Sequence, residues 1–434
     1  MSVQKPREIA ARILARRESE NFENQFVENI FEEELSRQTI SPQDRALCHE
    51  LVYGIVRWQK TLDWLIARKT ENRPQKPMLQ ILLHIGLYQM FWLDRIPNHA
   101  AVHETVELVK KFGFEPQAGF VNAVLRGYTR ERVETEKLLL DLKTNNPALG
   151  FSHPDWLVER WQKKFGVENT TQLLQLNNTP PKTFARLNSL KTDSEKLAMQ
   201  WESEGVKFAA RSWDWTGDNL VFQLDSHLPL ANLRSFKQGL FYIQDPSTLL
   251  AVQELNPHPA QTILDLCAAP GGKTTFIAQL IENRGKIFAQ DNRLERLNLI
   301  KENCARLGIT CIETSLAPKE IIPNPSLRFD RILVDAPCSN TGVMRRRIEL
   351  RWRISLEEIL RLQDLQLQLL RQAAPRLKPG GTLIYSTCSL EPEENSEVIK
   401  TFLGEHPNYK LGSERELLPF VEGVDGAYVA KLKS

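Results

Sequence analysis

From Gly239 onward, short apolar runs alternate with long helical patterns, and this alternation restricts the fold more than any other feature of the chain. GLFYIQD (239–245), TILDL (262–266), KIFAQD (286–291), RILVDA (331–336) and TLIYST (382–387) have the length and residue types of strands. Helical stretches follow Gly272, run from Leu294 to Leu307, and run from Leu356 to Leu377. Parallel strands need a crossover between them, usually a helix, so the pattern predicts a parallel, doubly wound, Rossmann-like α/β sheet. In such sheets ligands bind at the carboxyl ends of the strands. The residues that follow each strand are therefore the ones to search for chemistry.

The chain before Gly239 reads differently. With 434 residues it exceeds one ordinary domain, which averages roughly 100 to 200 residues. Residues 1 to about 130 show helical spacing and no strand signal, with Phe22, Phe26, Val27, Ile30, Phe31 and Leu35 on one face. Ser41-Pro42-Gln43-Asp44 places an N-cap serine, a proline at the first helical position and an acid in the first turn. Turn residues cluster at 71–77 and 94–98, and GFVNAVLRGY (119–128) reads as the last helix of an all-α bundle. Beyond it, Pro180-Pro181, a strand-like TFARLNSL (183–190), a helix signal from Ser194 to Gly205 and a strand-like VKFAA (206–210) predict a small mixed α/β subdomain. The expected division is 1–135 for the bundle, 145–238 for the small subdomain and linker, and 239–434 for the Rossmann-like domain.

Composition excludes several classes. The most apolar stretch, MLQILLHIGLYQMFWL (78–93), carries Gln80, His84 and Gln89 and falls short of the roughly 20 apolar residues of a membrane span, so it predicts a core helix. MSVQKPREIAARILARR lacks the apolar run of an export signal, and a cytoplasmic location is expected. Six cysteines, none in a CxxC pair, predict reduced thiols and no metal site. Net charge is only +2, so affinity for a nucleic acid has to come from a local basic patch.

The strand ends supply the candidates. DLCAAPGGKTT (265–275) is a glycine-rich turn into a helix whose N-terminal amides suit a carboxylate or phosphate. It lacks the GxxxxGK[ST] phosphate loop, which leaves a nucleotide-like ligand without a triphosphate. Asp291 follows roughly 20 residues past these glycines, the spacing at which an acid accepts from ribose hydroxyls; the plainer reading is a helix N-cap. RILVDAPCSNTG (331–342) brings Asp335, Cys338 and Ser339 to a third strand end, and YSTCSLEPEEN (385–395) brings Cys388 to a neighbouring one. A cysteine is most often a small buried hydrophobe, but two thiols and an acid converging on one ligand mouth favour a reaction. No histidine lies near either thiol motif, which disfavours a Cys-His hydrolase. Arg345, Arg346, Arg347, Arg351 and Arg353, with Trp352 among them, form the densest basic run, either a solvated face or phosphate contacts.

DLCAAPGGKTT, DRILVDAPCSNTGVMRRR and LIYSTCSLEPEENSEVI together resemble the RNA (cytosine-C5) methyltransferases, which use S-adenosylmethionine. REIAARIL, SPQDRALCHELVYGIVRW, RIPNHAAVHETVELVKK and GFVNAVLRGY resemble the NusB-like RNA-binding bundle fused to that domain in the bacterial ribosomal small-subunit methyltransferase B group. The resemblance implies an RRM-like character for the small subdomain, and 16S rRNA as substrate, with cytosine 967 as the target. It implies Cys388 as nucleophile, Cys338 as the group assisting product release, and Asp335 as the partner of cytosine N3 near the cofactor. It assigns Cys267, Ala268, Ala269, Pro270, Gly271, Gly272, Lys273, Asp291 and Asp335 to S-adenosylmethionine. Ser386, Thr387 and Ser389 are then expected to leave room for a flipped base, and Glu391 to Asn395 to begin the next helix.

Two stretches depart from the family pattern. CIETSLAPKE (311–320) has no acid from Thr314 to Pro318, Glu313 being the nearest, so the adenine contact is unassigned. RRRIEL (345–350) replaces a His-Pro-Asp-like stretch. C5 of cytosine is a poor nucleophile, and a thiolate added at C6 pushes electrons into the ring; this is the chemistry that calls for a cysteine here. The expected partners are RNA but no membrane, and the chain is expected to act as a monomer. Transfer RNA or DNA as substrate, or a non-catalytic RNA-binding assembly factor on a vestigial fold, are the alternatives.

Overall fold

The computed structural model describes residues 5–19, 26–38, 40–227, 229–317 and 326–434. They divide into two compact units, Met1–Thr179 with Arg347–Arg353, and Pro180–Arg346 with Ile354–Ser434. Phe22, expected on the face of an early helix, lies outside the described residues, as does Pro318.

The first unit is helical. Helices Lys5–Arg17, Val27–Ser36, Pro42–Arg57, Gln59–Thr70, Asn98–Lys111 and Ala118–Arg130 surround Pro77–Trp92, the stretch predicted as a core helix. That helix buries residues on every side, and its polar members are satisfied internally: His84 bonds Asp63 at 2.8 Å, and Gln89 accepts from Arg7 Nε at 2.7 Å. Ser41 caps Pro42–Arg57 as its sequence predicts, its hydroxyl accepting from the Asp44 amide at 3.1 Å. The helices do not stop near residue 130. Arg132–Asn145, Pro147–Gly150, Asp155–Phe165 and Val167–Asn177 continue the unit, and the strands begin only after Pro180-Pro181.

The segment Arg347–Arg353 belongs to this helical unit. Ile348 is buried in its hydrophobic core, Trp352 donates to the Val56 carbonyl at 2.7 Å, and Glu349 accepts from the Val27 amide at 3.1 Å. Arg351 is 0% exposed and donates to the carbonyls of Arg57, Ser152 and Asn177 and to Asn178 Oδ1, at 2.8 to 3.2 Å. Burial, with the Arg57 charge adding to it, pulls its pKa down to about 9. Of the two readings of the basic run, a solvated face or phosphate contacts, neither holds for the buried Arg351. Arg351 crosslinks chain segments, and Arg347 pairs with Glu28 at 3.0 Å over the Phe26 ring.

The second unit holds two sheets. Strands β1 (Thr183–Leu187), β2 (Lys207–Arg211), β3 (Val221–Ser226) and β4 (Phe241–Ile243) form an antiparallel sheet in the order β2-β3-β1-β4, covered by helix Ser194–Ser203. Phe241 was expected to open the parallel sheet. It instead closes the small core, with Trp201 edge-on at 5.2 Å, and β4 pairs antiparallel with β1. The large sheet contains β5 (Thr262–Leu266), β6 (Lys286–Asp291), β7 (Ile312–Leu316), β8 (Phe329–Asp335), β9 (Leu377–Thr387), β10 (Lys410–Leu417) and β11 (Ala427–Lys433). Its order is β10-β11-β9-β8-β5-β6-β7, with β5 to β9 parallel and β10 and β11 antiparallel at one edge. Strand order reverses between β5 and β8, which places a ligand crevice at their carboxyl ends. Helix Leu356–Ala373 ends before the predicted Leu377, because Pro375 has no N–H to continue it.

Two buried side chains tie the small sheet to the helix after β5. Arg186 of β1 is 1% exposed and donates to the Gly272 carbonyl at 2.8 Å and to Thr275 Oγ1 at 3.0 Å, over the Phe276 ring at 4.8 Å. Gln279 of that helix donates to Asn188 Oδ1 at 2.7 Å, and Asn188 donates to the Gly239 and Leu307 carbonyls at 2.7 and 2.9 Å. On β5 itself, Asp265 is 0% exposed; Thr274 donates to its Oδ2 at 2.6 Å, and burial pushes its pKa up to about 7. Among the described residues no helix is long and apolar enough to cross a membrane.

Arg351→Ala leaves three buried carbonyls short of a donor and should destabilise the helical unit by about 3 kcal/mol, read as a lower urea midpoint. Arg351→Lys, lacking the fork, should recover less than half of that loss. Asp265 gives a pH signature. Its folded pKa is raised, so the fold binds its proton more tightly than the unfolded chain does. That contribution is present below the unfolded value of about 4 and is lost as pH rises towards 7. Asp265→Asn does not titrate, and its stability relative to the native chain should rise by about 2 to 4 kcal/mol between pH 5 and 8. Parallel urea-midpoint profiles for the two proteins would contradict this.

Candidate active site

The parallel pairing of β8 with β9 brings the two thiols together. Val334 lies opposite Tyr385 and Asp335 opposite Ser386, so both strands end at one level and the cysteines follow within three residues on each. Cys338 Sγ and Cys388 Sγ are 3.3 Å apart. The Cys388 thiol donates to Asn340 Oδ1 at 3.0 Å, and Asn340, with φ +59°, donates through Nδ2 to the Cys338 carbonyl at 2.6 Å. Cys338 is buried and Cys388 is partly exposed. The hydrogen bond with Cys388, then burial, raises the Cys338 pKa well above the ordinary thiol value, so Cys338 holds its proton.

The loop after β9 is held by close backbone approach. The Gly342 amide donates to the Cys388 carbonyl at 2.9 Å, and the Gly426 amide donates to the Gly342 carbonyl at 2.8 Å. A Cβ on Gly342 would stand 2.7 Å from that Cys388 oxygen, which is why glycine occupies the position. Thr387 donates to Asn395 Oδ1 at 2.6 Å, and Asn395 Nδ2 donates to the Ser389 carbonyl at 2.9 Å. Ser386, Thr387 and Ser389 are 0 to 2% exposed. They hold the loop from within, which corrects the expectation that they leave room for a base. Pro392–Glu394 form a single 3-10 turn, and the helix itself is Ser396–Glu405.

Asp335 closes the third side. Lys273, at the start of helix Gly272–Leu280, donates to Asp335 Oδ1 at 2.7 Å with its side chain only 14% exposed. Burial works against the ammonium, but the Asp335 carboxylate outweighs it and holds the Lys273 pKa above its usual value. The turn Cys267 to Gly271 wraps beside this pair. Cys267 (φ +62°) and Gly271 (φ +101°) adopt left-handed backbone, and the Ala269 amide donates to Asp291 Oδ2 at 3.2 Å. Asp291 also accepts from the Arg293 amide at 3.3 Å. It is not the N-cap of helix Leu294–Leu307, a position held by Arg293. Burial, reinforced by Asp335, Asp291 and Asp265, pushes the Cys267 thiol up to about 12, so it is no nucleophile.

These residues fit S-adenosylmethionine. Asp265 Oδ1 is buried without a hydrogen-bond partner, and it lies at the same turn as the Asp291 carboxylate and the start of helix Gly272–Leu280. An amino acid joined to a nucleoside and carrying two positive charges supplies the donors such a set lacks. Glu313, the nearest acid to the adenine side, is paired with Lys286 at 2.8 Å. Asp265, Asn340, Glu394 and Asn395 were not singled out from the sequence. For Asp265 the signal was an acid inside an otherwise apolar strand; the other three lie within the recognised motifs and needed the fold to show their bonds. Arg345 and Arg346 bond Asp425 and reach Asp245, with both aspartates buried.

Comparison with known proteins agrees with this arrangement. Family models match residues 252–433 (16S rRNA methyltransferase RsmB/F), 4–130 (NusB family) and 153–217 (the ferredoxin-like domain of RsmF/B-like methyltransferases). "Probable ribosomal RNA small subunit methyltransferase B" of Bacillus subtilis is 36% identical over 433 residues, covering 95% of each chain. Ribosomal RNA small subunit methyltransferase B of Vibrio vulnificus is 36% identical over 409 residues, covering 92% of this chain and 93% of its own. The crystal structure of PH0851 shares the fold over all of both chains, with a TM-score of 0.79 at 24% identity. That of a methyltransferase homolog from Pyrococcus horikoshii has a TM-score of 0.59 at 29% identity over 66% of this chain and 97% of its own. With its NusB-like bundle, ferredoxin-like subdomain and Rossmann-like domain for S-adenosylmethionine, the chain belongs to the ribosomal RNA small subunit methyltransferase B family.

Proposed function

We propose that this rRNA methyltransferase acts on C5 of one cytosine of 16S rRNA, family-implied cytosine 967, through a covalent bond between Cys388 and C6 of the base. The observation that carries the reading is the pair of thiols 3.3 Å apart beside the Lys273–Asp335 pair, at the mouth of the glycine-rich turn. S-adenosylmethionine supplies, when bound, an electrophilic methyl group. Cys388, the more accessible thiol, adds to C6 and makes C5 nucleophilic. After C5 has taken the methyl group, water takes the C5 proton, the C–H electron pair restores the ring double bond, and the bond from C6 to Cys388 breaks with its electron pair leaving on the sulfur. Cys338, which keeps its proton and touches Cys388, assists that release. Asp335, fixed by Lys273, is placed to bond the ring at N3.

The cofactor roles of Cys267 to Lys273 and of Asp291 are part of the same reading, supported by the carboxylates and amides converging on the turn. Residues 1–135 are assigned to RNA binding and the large sheet with its helices to catalysis, with the small sheet, which includes Phe241–Ile243, before it in the chain, in a cytoplasmic monomer.

Cys388→Ala should lower methylation by about three orders of magnitude or more, whereas Cys338→Ala should accumulate a protein–RNA adduct that survives denaturing electrophoresis. Bisulfite sequencing of ribosomal RNA from cells with and without the gene locates the modified cytosine. A fully active Cys388→Ala variant would sink the covalent mechanism. Modification lost from a transfer RNA instead would move the substrate, and no calorimetric binding of S-adenosylmethionine would favour an assembly factor.

A further inference from the structure

Glu394 is 0% exposed and collects four hydrogen bonds from three residues. The Ser339 amide donates to Oε1 at 2.8 Å and Gln366 Nε2 donates to Oε1 at 3.1 Å. The hydroxyls of Ser339 and Ser389 both donate to Oε2. Ser339 is the residue after Cys338, Ser389 is the residue after Cys388, and their hydroxyl oxygens are 3.1 Å apart. One carboxylate thus grips the immediate neighbour of each thiol. The grip extends to the strand below, because Tyr385 of β9 donates to the Glu394 carbonyl at 2.6 Å.

The chemistry of the group matters. A carboxylate only accepts, and it offers about four lone-pair sites on two oxygens, so it can take four donors with none opposed. Burial raises the Glu394 pKa, while the bonds from Ser339, Ser389 and Gln366 favour the charge. Among the described residues no lysine or arginine bonds it directly, so this acid serves the loops and not an ion pair.

We infer that Glu394 is the positioning residue that sets the separation and orientation of the Cys338 and Cys388 thiols, by tying Ser339 and Ser389 to one buried carboxylate. Its part in turnover rests on the proposed roles of the two thiols; its part in their geometry does not. Glu394→Ala removes the acceptor of four buried donors and frees the two loops from each other. Glu394→Gln keeps one carbonyl oxygen for the Ser339 amide and Gln366, and its amide lies against two hydroxyls that can turn to accept.

The test uses the full chain and phenylarsine oxide, a trivalent arsenical that bonds two neighbouring sulfurs while its oxygen leaves as water with the two thiol protons. The rate at which paired thiols disappear is measured, with Cys338→Ser defining the background from the other cysteines. Glu394→Ala should capture the reagent about tenfold more slowly than the native chain, and Glu394→Gln within about threefold of it, since sub-ångström displacement of reacting groups carries effects of that order. Ser339→Ala/Ser389→Ala, which keeps the acid but removes two of its ties, should behave like Glu394→Ala. It decides the matter if Glu394→Ala fails to fold. In methylation, Glu394→Ala should lower kcat with KM little changed, and Glu394→Gln should restore it. Capture at the native rate by folded Glu394→Ala or by the double variant would overturn the inference. Slowed capture in a chain that methylates no cytosine would leave the positioning intact and remove the proposed reaction.

Discussion

The site depends on the register of β8 against β9. Ile332, Leu333 and Val334 on one strand and Leu383, Ile384 and Tyr385 on the other are all 0% exposed, and they pair in parallel with Asp335 opposite Ser386. Both faces of this part of the sheet are buried, so a slip of one residue would exchange every side chain between two packed layers. The register is therefore stiff, and whatever follows each strand starts from a fixed point. Two cysteines fifty residues apart in sequence meet because of that stiffness, and the bonds through Glu394, Asn340 and Gly342 then adjust their final approach. Strand pairing gives proximity, and the loop bonds give orientation.

The charge of the site has a direction. Asp265, Asp291 and Asp335 surround the glycine-rich turn, and their combined field helps raise the Cys267 thiol. Lys273 and Arg296 are the cations bonded to them, Arg296 reaching Asp291 at 3.3 Å. A crevice with this surplus of carboxylates selects for a cationic ligand and disfavours a triphosphate. The absence of a phosphate loop from DLCAAPGGKTT and the unpartnered Asp265 Oδ1 are two expressions of one preference. The buried Asp265 lowers the stability of the fold at neutral pH, as acids held neutral or unpaired at functional sites do.

Much of this was legible in the sequence, and what was missed has physical reasons. Strand-helix alternation gave the parallel sheet, and the spacing of Asp335, Cys338 and Cys388 after apolar strands predicted their convergence, which the geometry bears out. GLFYIQD read correctly as a strand but was given to the wrong sheet, because periodicity carries no information about which partner a strand will find. The antiparallel edge of β10 and β11 went unmarked; in β10, KLGSEREL is exposed over its first five residues, so its pattern lacks the apolar run that betrays a buried strand. The helices from Arg132 to Asn177 were hidden by a composition that mixes them with Pro and Asn. The basic run shows the largest gap. Guanidinium groups are read as surface by default, and only the fold reveals Arg351 among buried carbonyls and Arg345 among buried aspartates.

Residue type alone therefore assigns little in this chain, and environment assigns most of it. Three cysteines, Cys267, Cys338 and Cys388, stand near the carboxyl ends of the strands of one sheet. Cys267 is held neutral by burial among carboxylates, and Cys338 is buried and keeps its proton through its bond with Cys388. Cys388 alone combines partial exposure with a side-chain amide oxygen poised at its sulfur. The same sorting separates the acids: Asp335 is bound to a lysine at the crevice, whereas Glu394 is bound to hydroxyls and amides behind the thiols. A substitution that conserves hydrogen bonding but not charge should thus do opposite things at these two positions. At Asp335 the ion pair with Lys273 tolerates few changes of charge, whereas at Glu394 the bonds to Ser339, Ser389 and Gln366 matter more than the charge.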